Sequence, residues 1–482
     1  MTDRVDADRQ EAVERYETAR FRHEDGQLRA AWDSLVEALA ICRHLSGNDA
    51  GTTGRILGEL SAILDAVHGS PQAEDYYQRA LPIWREVRGS DHPETGELLN
   101  NLGYHRKQQG DLVQARRFYE QALRIWETAL GPRHPTTAVA LNNLGALLKR
   151  QGKLAQAEPY YRRALALLEE SRGPAHPETV IALNNLAMLL TEKGDIRPAE
   201  QLLRRALHAV RHSPEKPHPE LATTLNNLGQ ILHEQGRMQA AHAHYAQALE
   251  VWEETAGSQD LRTACALHNL GALFCDAGDL AAAERYLSRA LAIRQTLSDP
   301  AAAATLHNLG YLQEARGNPR DAERYYQQAL AMRRASFGET HGDTAQSLAA
   351  LGQLHYGQGD YGRARSYLEK ACRIAGEAVA AAPLLLVEWL NALGMVLLNL
   401  DDFDQAALHL ERARTLGEQA LGPRHPRLAQ VENNLGLVHF QRGHRAAAYA
   451  HIEKALAICE ATLGPDDPQT RAIRTNLQSL QG

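Results

Sequence analysis

Leucine, asparagine and glycine recur in a five-residue phrase every 42 residues along most of the chain. The phrase is LNNLG at Leu99, Leu141 and Leu225, and variants of it (LNNLA, LHNLG, LAALG, LNALG and ENNLG) begin at Leu183, Leu267, Leu306, Leu348, Leu390 and Glu432. One step, from Leu267 to Leu306, is shorter, at 39 residues. Self-similarity at a fixed period of about 20 to 50 residues indicates stacked supersecondary units. We therefore predict a repeat protein.

The third unit shows what each repeat contains. Residues 97–109 carry leucines at helical spacing together with Gly103, which predicts a first helix, A, approached closely by a partner. Gln109-Gly110-Asp111 is a turn with a capping aspartate, and residues 112–130 again have apolar residues at helical spacing, which predicts a second helix, B. The segment Gly131-Pro132-Arg133-His134-Pro135 suits the end of one helix and the start of the next.

Carried along the chain, this pattern predicts an all-α solenoid of about eleven helix pairs and a C-terminal capping helix. We expect residues 1–6 to be disordered, residues 7–296 to form repeats 1–7, residues 297–468 to form repeats 8–11, and residues 469–482 to form the cap. The division follows the shortened repeat. The helix pairs are expected to begin near Ala7, Thr52, Gly96, Ala138, Val180, Ala222, Ala264, Ala303, Ala345, Val387 and Ala429.

Composition restricts the classes of partner. The net charge of −7 and the pI near 6.3 do not provide the basic surface that nucleic acids require. Five cysteines without paired spacing argue against a disulfide scaffold, and the charged N-terminus does not predict a signal peptide. We therefore expect a cytoplasmic protein, and the excess of arginine over lysine favours a bacterial source with a GC-rich genome.

Gly103, Ala115, Tyr119 and Ala122 lie at the offsets of the tetratricopeptide repeat. With its 42-residue period, the LNNLG phrase and the GPxHP loops, the chain resembles the repeat variant of kinesin light chains. The resemblance implies a right-handed superhelix whose A helices line a concave groove for a protein or peptide, with a role as scaffold or regulator. The coiled coil of kinesin light chains is not found before Arg15, so a motor-adaptor role is not implied.

The asparagine phrase is the strongest candidate for a binding site. A primary amide both donates and accepts, which matches an extended peptide backbone. We expect the second asparagine of each pair to bridge neighbouring helices and the first to face the groove. The predicted groove residues are Asn100, Tyr104, Lys107, Asn142, Lys149, Arg150, Asn184, Asn226, His268, His307, Asn391 and Asn433. An alternative reading makes the first asparagines structural as well.

Charge along the groove is uneven. Lys107, Lys149 and Arg150 make two repeats basic, which predicts a partner with an acidic segment or a free carboxylate. The four repeats that follow place Glu192, Glu234, Asp276 and Glu314 on the same stripe. Charges on a solvated helix face without function are the alternative explanation.

Histidines and cysteines raise the question of an enzyme. Six histidines share one loop position and are therefore expected to be structural: His92, His134, His176, His218, His341 and His425. Cys265, His268 and His307 could form a metal or nucleophile site, and a small-molecule enzyme or sensor around His268 and His307 is our alternative function. No catalytic, nucleotide or dinucleotide motif is present, so we expect neither an enzyme nor a cofactor.

An apolar stretch from Ala378 to Leu400 is long enough for a membrane span, but it keeps the repeat register and contains Pro383, Glu388 and Asn391. We therefore predict no membrane segment. Its first part, Val379 to Leu386, replaces the polar GPxHP loop, and an exposed apolar loop usually marks a contact surface. Self-association through this loop is the prediction.

Overall fold

The computed structural model describes residues 2–24, 27–44, 56, 60, 63, 73–213, 220–377 and 383–480. Over these residues the chain forms 22 α-helices and no strand, which confirms the predicted all-α class. The helices are α1 (Thr2–Glu24), α2 (Leu28–His44), α3 (Ala73–Val87), α4 (Pro93–Gln108), α5 (Leu112–Ala129), α6 (Pro135–Arg150), α7 (Leu154–Arg172), α8 (Pro177–Glu192), α9 (Ile196–Arg211), α10 (Leu221–Glu234), α11 (Met238–Thr255), α12 (Leu261–Asp276), α13 (Leu280–Thr296), α14 (Ala302–Ala315), α15 (Pro319–Phe337), α16 (Gly342–Gly357), α17 (Tyr361–Glu377), α18 (Pro383–Asn399), α19 (Phe403–Leu421), α20 (Pro426–Gln441), α21 (Arg445–Thr462) and α22 (Pro468–Ser479).

The helices alternate between A and B as the repeat pattern predicts. From α4 to α21, each even-numbered helix is an A helix and the odd-numbered helix after it is its B partner. The pair α1 and α2 comes first, and α22 is the predicted cap. The second A helix is described only at Ile56, Leu60 and Ile63, all of which are helical and buried. We expected residues 2–6 to be disordered, but they belong to helix α1. The segment has neither glycine nor proline to interrupt a helix.

Glycine allows the two helices of a pair to approach closely, as predicted. A Cβ atom on Gly103 would lie 2.7 Å from Cε1 of Tyr119, the aromatic residue of the B helix. The same relationship joins Gly229 to Tyr245, where the distance to Cδ1 would be 2.7 Å. A side chain at these glycines would overlap the tyrosine ring, so the repeat needs a residue without a Cβ there.

The shared loop histidines cap the A helices, which confirms their structural role. In His92, His134, His176, His341 and His425 the Nδ1 atom accepts a hydrogen bond from the backbone N–H two residues later, at 3.2 to 3.3 Å. Asp260 and Asp467 accept the same bond, at 2.8 Å, where the histidine is missing. Because the first turn of a helix has unpaired N–H groups, each of these side chains stabilises a helix start. His218 lies outside the described residues.

The chain divides into two compact units. The first comprises residues 1–150 and 155–173, and the second residues 151–154 and 174–482. The core of the first unit combines aliphatic residues with large aromatic ones such as Trp32, Tyr77 and Trp84, whereas a core cluster of the second unit consists mainly of leucine and alanine. The division that we expected at 296/297 falls inside the second unit.

The apolar segment before α18 differs from our expectation. Residues 379–382 lie outside the described part, but Pro383 begins α18, and Leu386 is buried with Val387 in the core of the second unit. Val379 to Leu386 is therefore not an exposed loop throughout, because its C-terminal half is the first turn of an A helix. Among the described helices, none combines the length and apolar character needed to cross a bilayer.

Candidate functional site

The asparagine pairs form a ladder of amides between successive A helices. In each step, Nδ2 of the second asparagine of one repeat donates to Oδ1 of the first asparagine of the repeat before it. The steps are Asn143 to Asn100 at 2.8 Å, Asn227 to Asn184 at 3.3 Å, Asn269 to Asn226 at 2.8 Å, Asn434 to Asn391 at 2.9 Å and Asn476 to Asn433 at 2.9 Å. The predicted bridging role of the second asparagine is thus present in the structure.

The ladder also engages five of the first asparagines, which we expected to face a ligand, whereas Oδ1 of Asn142 has no hydrogen-bond partner among the described residues. Asn184 is 4% exposed, accepts from Asn227, and donates from Nδ2 to Oγ1 of Thr224 at 3.0 Å. Asn100 is buried as well and accepts from Asn143. For Asn184 and Asn100 the expectation of a ligand contact is corrected, because these amides are buried and already hydrogen-bonded within the repeat stack.

The other first asparagines are half-buried. Asn142, Asn226, Asn391 and Asn433 keep part of the amide at the surface of the A helices. Asn391 lines a cavity of about 270 Å³ with Arg427, and Asn433 lines one of about 280 Å³ with Gln469 and Ile473. A ligand contact by these four residues stays a prediction.

Three cations lie at the C-terminal ends of two A helices of the first unit. Lys107 Nζ lies 5.2 Å from the centre of the Tyr104 ring, and Nη1 of Arg150 donates to the backbone carbonyl of Lys107 at 3.3 Å. Lys149 is half-buried beside them. Burial and the charge of Arg150 lower the pKa of Lys107. We call Tyr104, Lys107, Lys149 and Arg150 the basic face.

The acidic positions of the second unit are exposed, as solvated helix ends are. Glu192, Glu234, Asp276 and Glu314 all lie at the surface. An imidazole nitrogen of His233 contacts a carboxylate oxygen of Asp276 at 2.9 Å, and the Tyr326 hydroxyl donates to Glu314 at 3.0 Å. The first contact joins Asp276 to the preceding repeat, and the second holds Glu314 to the B helix of its own repeat.

His268 and His307 occur in the two repeats where a buried arginine takes the place of a B-helix tryptophan. Arg294 and Arg333 correspond to Trp252 in the repeat frame, and Arg294 donates to Oγ1 of Thr305 at 2.7 Å. Burial, with a smaller effect of Arg294, lowers the pKa of His268 to about 3. Burial and the charge of Arg333 lower the pKa of His307 to about 4. Both imidazoles are therefore neutral near pH 7.

The position of Arg294 argues against the expected metal or nucleophile site at Cys265, His268 and His307. Its Nη2 atom lies 3.5 Å from the Cys265 sulfur, and the same guanidinium binds Thr305, whose hydroxyl is 3.2 Å from Nδ1 of His268. A permanent cation between these side chains opposes the binding of a metal ion. The substitution of tryptophan by arginine was the sequence signal for this arrangement.

A second cluster, which we did not predict, lies in the last full repeat. Glu411 of α19, His439 of α20 and His451 of α21 place one possible ligand atom each within 4.8 Å of one another. Over the described residues this is the single group of three or more such side chains with that geometry. The sequence signal was Glu432, the charged residue that replaces the first leucine of the repeated phrase and that bonds to His451.

Comparison with known proteins identifies the family of the repeats. A family model described as "Tetratricopeptide repeat" matches residues 69–128, 97–170, 136–211, 218–296, 300–377 and 385–448, and a second model of the same description matches residues 431–469. No curated protein matches the chain.

Similar solved structures include several repeat proteins. BtubC (BKLC) from P. vanneervenii is 26% identical over 47% of this chain and 90% of its own, with a TM-score of 0.38. The repeats of a putative kinesin light chain from Podosopora anserina are 19% identical over 43% of this chain and 98% of theirs, with a TM-score of 0.36. A Rap protein in complex with Competence and Sporulation Factor is 15% identical over 81% of this chain and 98% of its own, with a TM-score of 0.46.

The family models together cover well over half of the residues, in the register of the helix pairs and of the glycine–tyrosine contacts described above. This chain belongs to the tetratricopeptide repeat family.

Proposed function

We propose that this chain is a protein-interaction scaffold whose basic face binds an acidic segment of a partner protein. The family is generally one of protein-interaction scaffolds. The basic face lies on A helices of the first unit, at Tyr104, Lys107, Lys149 and Arg150. The proposal involves binding and assigns no catalytic step to the chain.

The main support for the proposal is that Lys107 and Arg150 lie side by side without a carboxylate partner. Within the described part of the chain, no ion pair joins either of them to an aspartate or glutamate. Several other arginines of the same unit are paired: Arg106 with Glu74 at 2.5 Å, Arg116 with Glu120 at 2.7 Å and Arg163 with Glu127 at 2.5 Å. Two adjacent cations repel each other, and an acidic ligand would relieve that repulsion.

The surroundings of Lys107 favour a directional contact. Its ammonium group lies over the Tyr104 ring and is partly buried, so a bound carboxylate would be screened less than at a fully exposed lysine. A hydrogen bond between charged groups contributes about 1.5 to 3 kcal/mol. Two such bonds, to Lys107 and to Arg150, would be enough to orient an extended acidic segment along the A helices.

The alternative is that these cations only stabilise the C-terminal ends of α4 and α6. A cation in the last helical turn contributes about 0.3 to 1 kcal/mol through the helix dipole. The two explanations differ in what charge reversal changes: the structural role predicts a loss of stability, whereas a binding role predicts a loss of affinity with little change in melting temperature.

The test uses a fluorescein-labelled peptide of alternating glutamate and serine, and a second peptide with glutamine in place of glutamate. Fluorescence anisotropy would be measured with the unmodified chain, with Lys107→Glu/Arg150→Glu, and with Arg117→Glu as a control. Arg117 is exposed on α5, outside the basic face. We expect the glutamate peptide to bind and the glutamine peptide not to bind. The affinity for the glutamate peptide should fall as the salt concentration is raised.

The double variant should bind the acidic peptide at least about tenfold more weakly, because it loses two charge-assisted bonds. Arg117→Glu should bind like the unmodified chain. Equal binding by all three proteins, or equal binding of the two peptides, would refute the proposal. A large fall in melting temperature of the double variant alone would assign these cations to helix stability.

A further inference from the structure

The last full repeat contains two departures from the repeat pattern that meet in space. Glu432 replaces the leucine found at that position in eight other copies of the phrase, and His439 takes the position held by Leu397 one repeat earlier. Both lie on α20, and both contact His451 on α21. The two substitutions therefore change one side-chain cluster.

Glu432 is 1% exposed, which is unusual for a carboxylate. Its Oε2 atom is 2.7 Å from Nδ1 of His451, and its Oε1 atom is 2.5 Å from Nζ of Lys454. An unpaired charge at this depth would be strongly unfavourable, and His451 and Lys454 are the partners that compensate it. The carboxylate fixes the orientation of the His451 ring, because it accepts a hydrogen bond from Nδ1.

A histidine that donates from Nδ1 to a carboxylate presents the lone pair of Nε2 to its other side. Metal-binding histidines commonly have this carboxylate or carbonyl partner, which fixes the tautomer and the ring orientation. The His451 ring is stacked on the His439 ring, with the two ring centres 5.1 Å apart. Nδ1 of His439 is buried and has no hydrogen-bond partner within the described residues.

Glu411 of α19 completes the cluster. One ligand atom each from Glu411, His439 and His451 lies within 4.8 Å of the other two. Two imidazole nitrogens and one carboxylate oxygen form a ligand set that suits zinc and chemically similar dications, and three protein ligands leave one position for water or another group.

The chain offers an internal comparison. One repeat earlier, the equivalent residues are Glu369, Leu397 and His409, so one of the three possible ligands is an apolar core residue. Two repeats earlier they are Gln327, His355 and Tyr367, which again provides one histidine alone. The complete set and the buried carboxylate beside it coincide in one repeat.

We propose that Glu411, His439 and His451 bind a transition-metal dication of the Zn²⁺ class between α19, α20 and α21, with Glu432 as a positioning residue for His451. Ion binding requires two local adjustments. Glu411 is 2.6 Å from Arg414 and must direct a carboxylate oxygen to the metal. The rings of His439 and His451 are 4° from parallel, so one must rotate before both lone pairs can meet at one ion.

The test uses the full chain after chelator treatment and dialysis. Isothermal titration with Zn²⁺, and visible absorption with Co²⁺ as a spectroscopic probe, would be measured on the unmodified protein, His439→Leu and Glu432→Gln. His409→Leu is the control, because it makes the same histidine-to-leucine change at the residue that corresponds to His451 in the preceding repeat. Mg²⁺ serves as a hard cation that this ligand set should not bind.

We expect one tight equivalent of Zn²⁺ and the intense visible bands of four-coordinate Co²⁺ in the unmodified protein and in the control. His439→Leu should lower the affinity more than about 100-fold, and Glu432→Gln should lower it about 10- to 100-fold, the range typical of an outer-shell partner. Because leucine is the residue of the preceding repeat, His439→Leu should stay folded. If it does not, His439→Gln replaces it.

Three results would overturn the proposal. The first is an unmodified protein without a saturable one-equivalent Zn²⁺ site. The second is a site that persists unchanged in His439→Leu, because the ion would then be bound by other histidines of the chain. Loss of the site in His409→Leu would also place the ion elsewhere.

Discussion

The Asn143 side chain donates from Nδ2 to Oδ1 of Asn100 at 2.8 Å, so two asparagines 43 residues apart join neighbouring A helices. Four further steps of the same kind follow in the second unit. A side-chain amide that both donates and accepts can take part in such a ladder at every repeat. The LNNLG phrase therefore encodes a contact between successive repeats.

The first prediction concerns the stability that this ladder provides. Asn226→Ala or Asn269→Ala should each lower the free energy of unfolding by about 1 to 2 kcal/mol, since each leaves a part-buried amide without its partner. The double variant should lose less stability than the two single variants lose together, because both changes remove the same hydrogen bond. Urea unfolding followed by circular dichroism would measure this.

Asn399→Ala is the control, because Asn399 is exposed and outside the ladder. It should leave stability within about 0.5 kcal/mol of the unmodified chain. First asparagines that only faced the groove would leave the melting temperature nearly unchanged when Asn142, Asn184 and Asn226 are replaced by alanine. The geometry of Asn184 and Asn226 now predicts a clear destabilisation instead, and an unchanged melting temperature would contradict the structural role of the ladder.

The second prediction concerns helix approach within a pair. Gly229→Ala places a Cβ atom 2.7 Å from Cδ1 of Tyr245 and should destabilise the protein by about 1 to 3 kcal/mol, the usual cost of overpacking. Gly342→Ala should be neutral or slightly stabilising, since nothing lies within 4 Å of its new Cβ. Equal effects of the two changes in thermal melts would refute the close-contact explanation.

The third prediction concerns acid sensitivity. Folding lowers the pKa of His268 to about 3 and of His307 to about 4, from about 6.5 in an unfolded chain. Between these values the unfolded state binds more protons, so their contribution to stability is complete above about pH 6.5 and is lost as the pH falls through about 4 for His307 and about 3 for His268.

His268→Asn/His307→Asn restores the asparagine of the other repeats and removes both titrating groups. At pH 4.5 the double variant should lose less stability, relative to pH 7, than the unmodified chain does, by on the order of 1 to 3 kcal/mol. Denaturant titrations at the two pH values measure the difference. Identical pH dependence of the two proteins would show that the histidines do not contribute.

The fourth prediction concerns the histidine caps. His176→Ala removes the acceptor for the backbone N–H of Glu178 and should cost about 0.5 to 2 kcal/mol. His176→Asp should retain most of the stability, because Asp260 and Asp467 form the same cap in this chain. Hydrogen exchange of the first turn of α8 would locate the effect. If these amides are equally protected from exchange in His176→Ala, His176 does not cap the helix.

The sequence by itself determined the repeat, the alternation of helices and the small residues at their contacts. These follow from local spacing: Gly103 and Tyr119 recur in the same frame, and only a residue without a Cβ allows the ring to lie so close. The capping role of His92 and its equivalents was also readable, because one residue type at one loop position in many repeats indicates a structural function.

Tertiary structure decided which polar side chains contact one another. Periodicity placed Asn100 and Asn142 on one stripe, but only the packing of successive A helices brings Asn143 to Asn100 and buries Asn184. In the same way, Glu411, His439 and His451 are distant in sequence and come from three helices. Periodicity gives the face on which a side chain lies, whereas its partners depend on the offset and rotation between helices, which the side-chain volumes of the whole core determine.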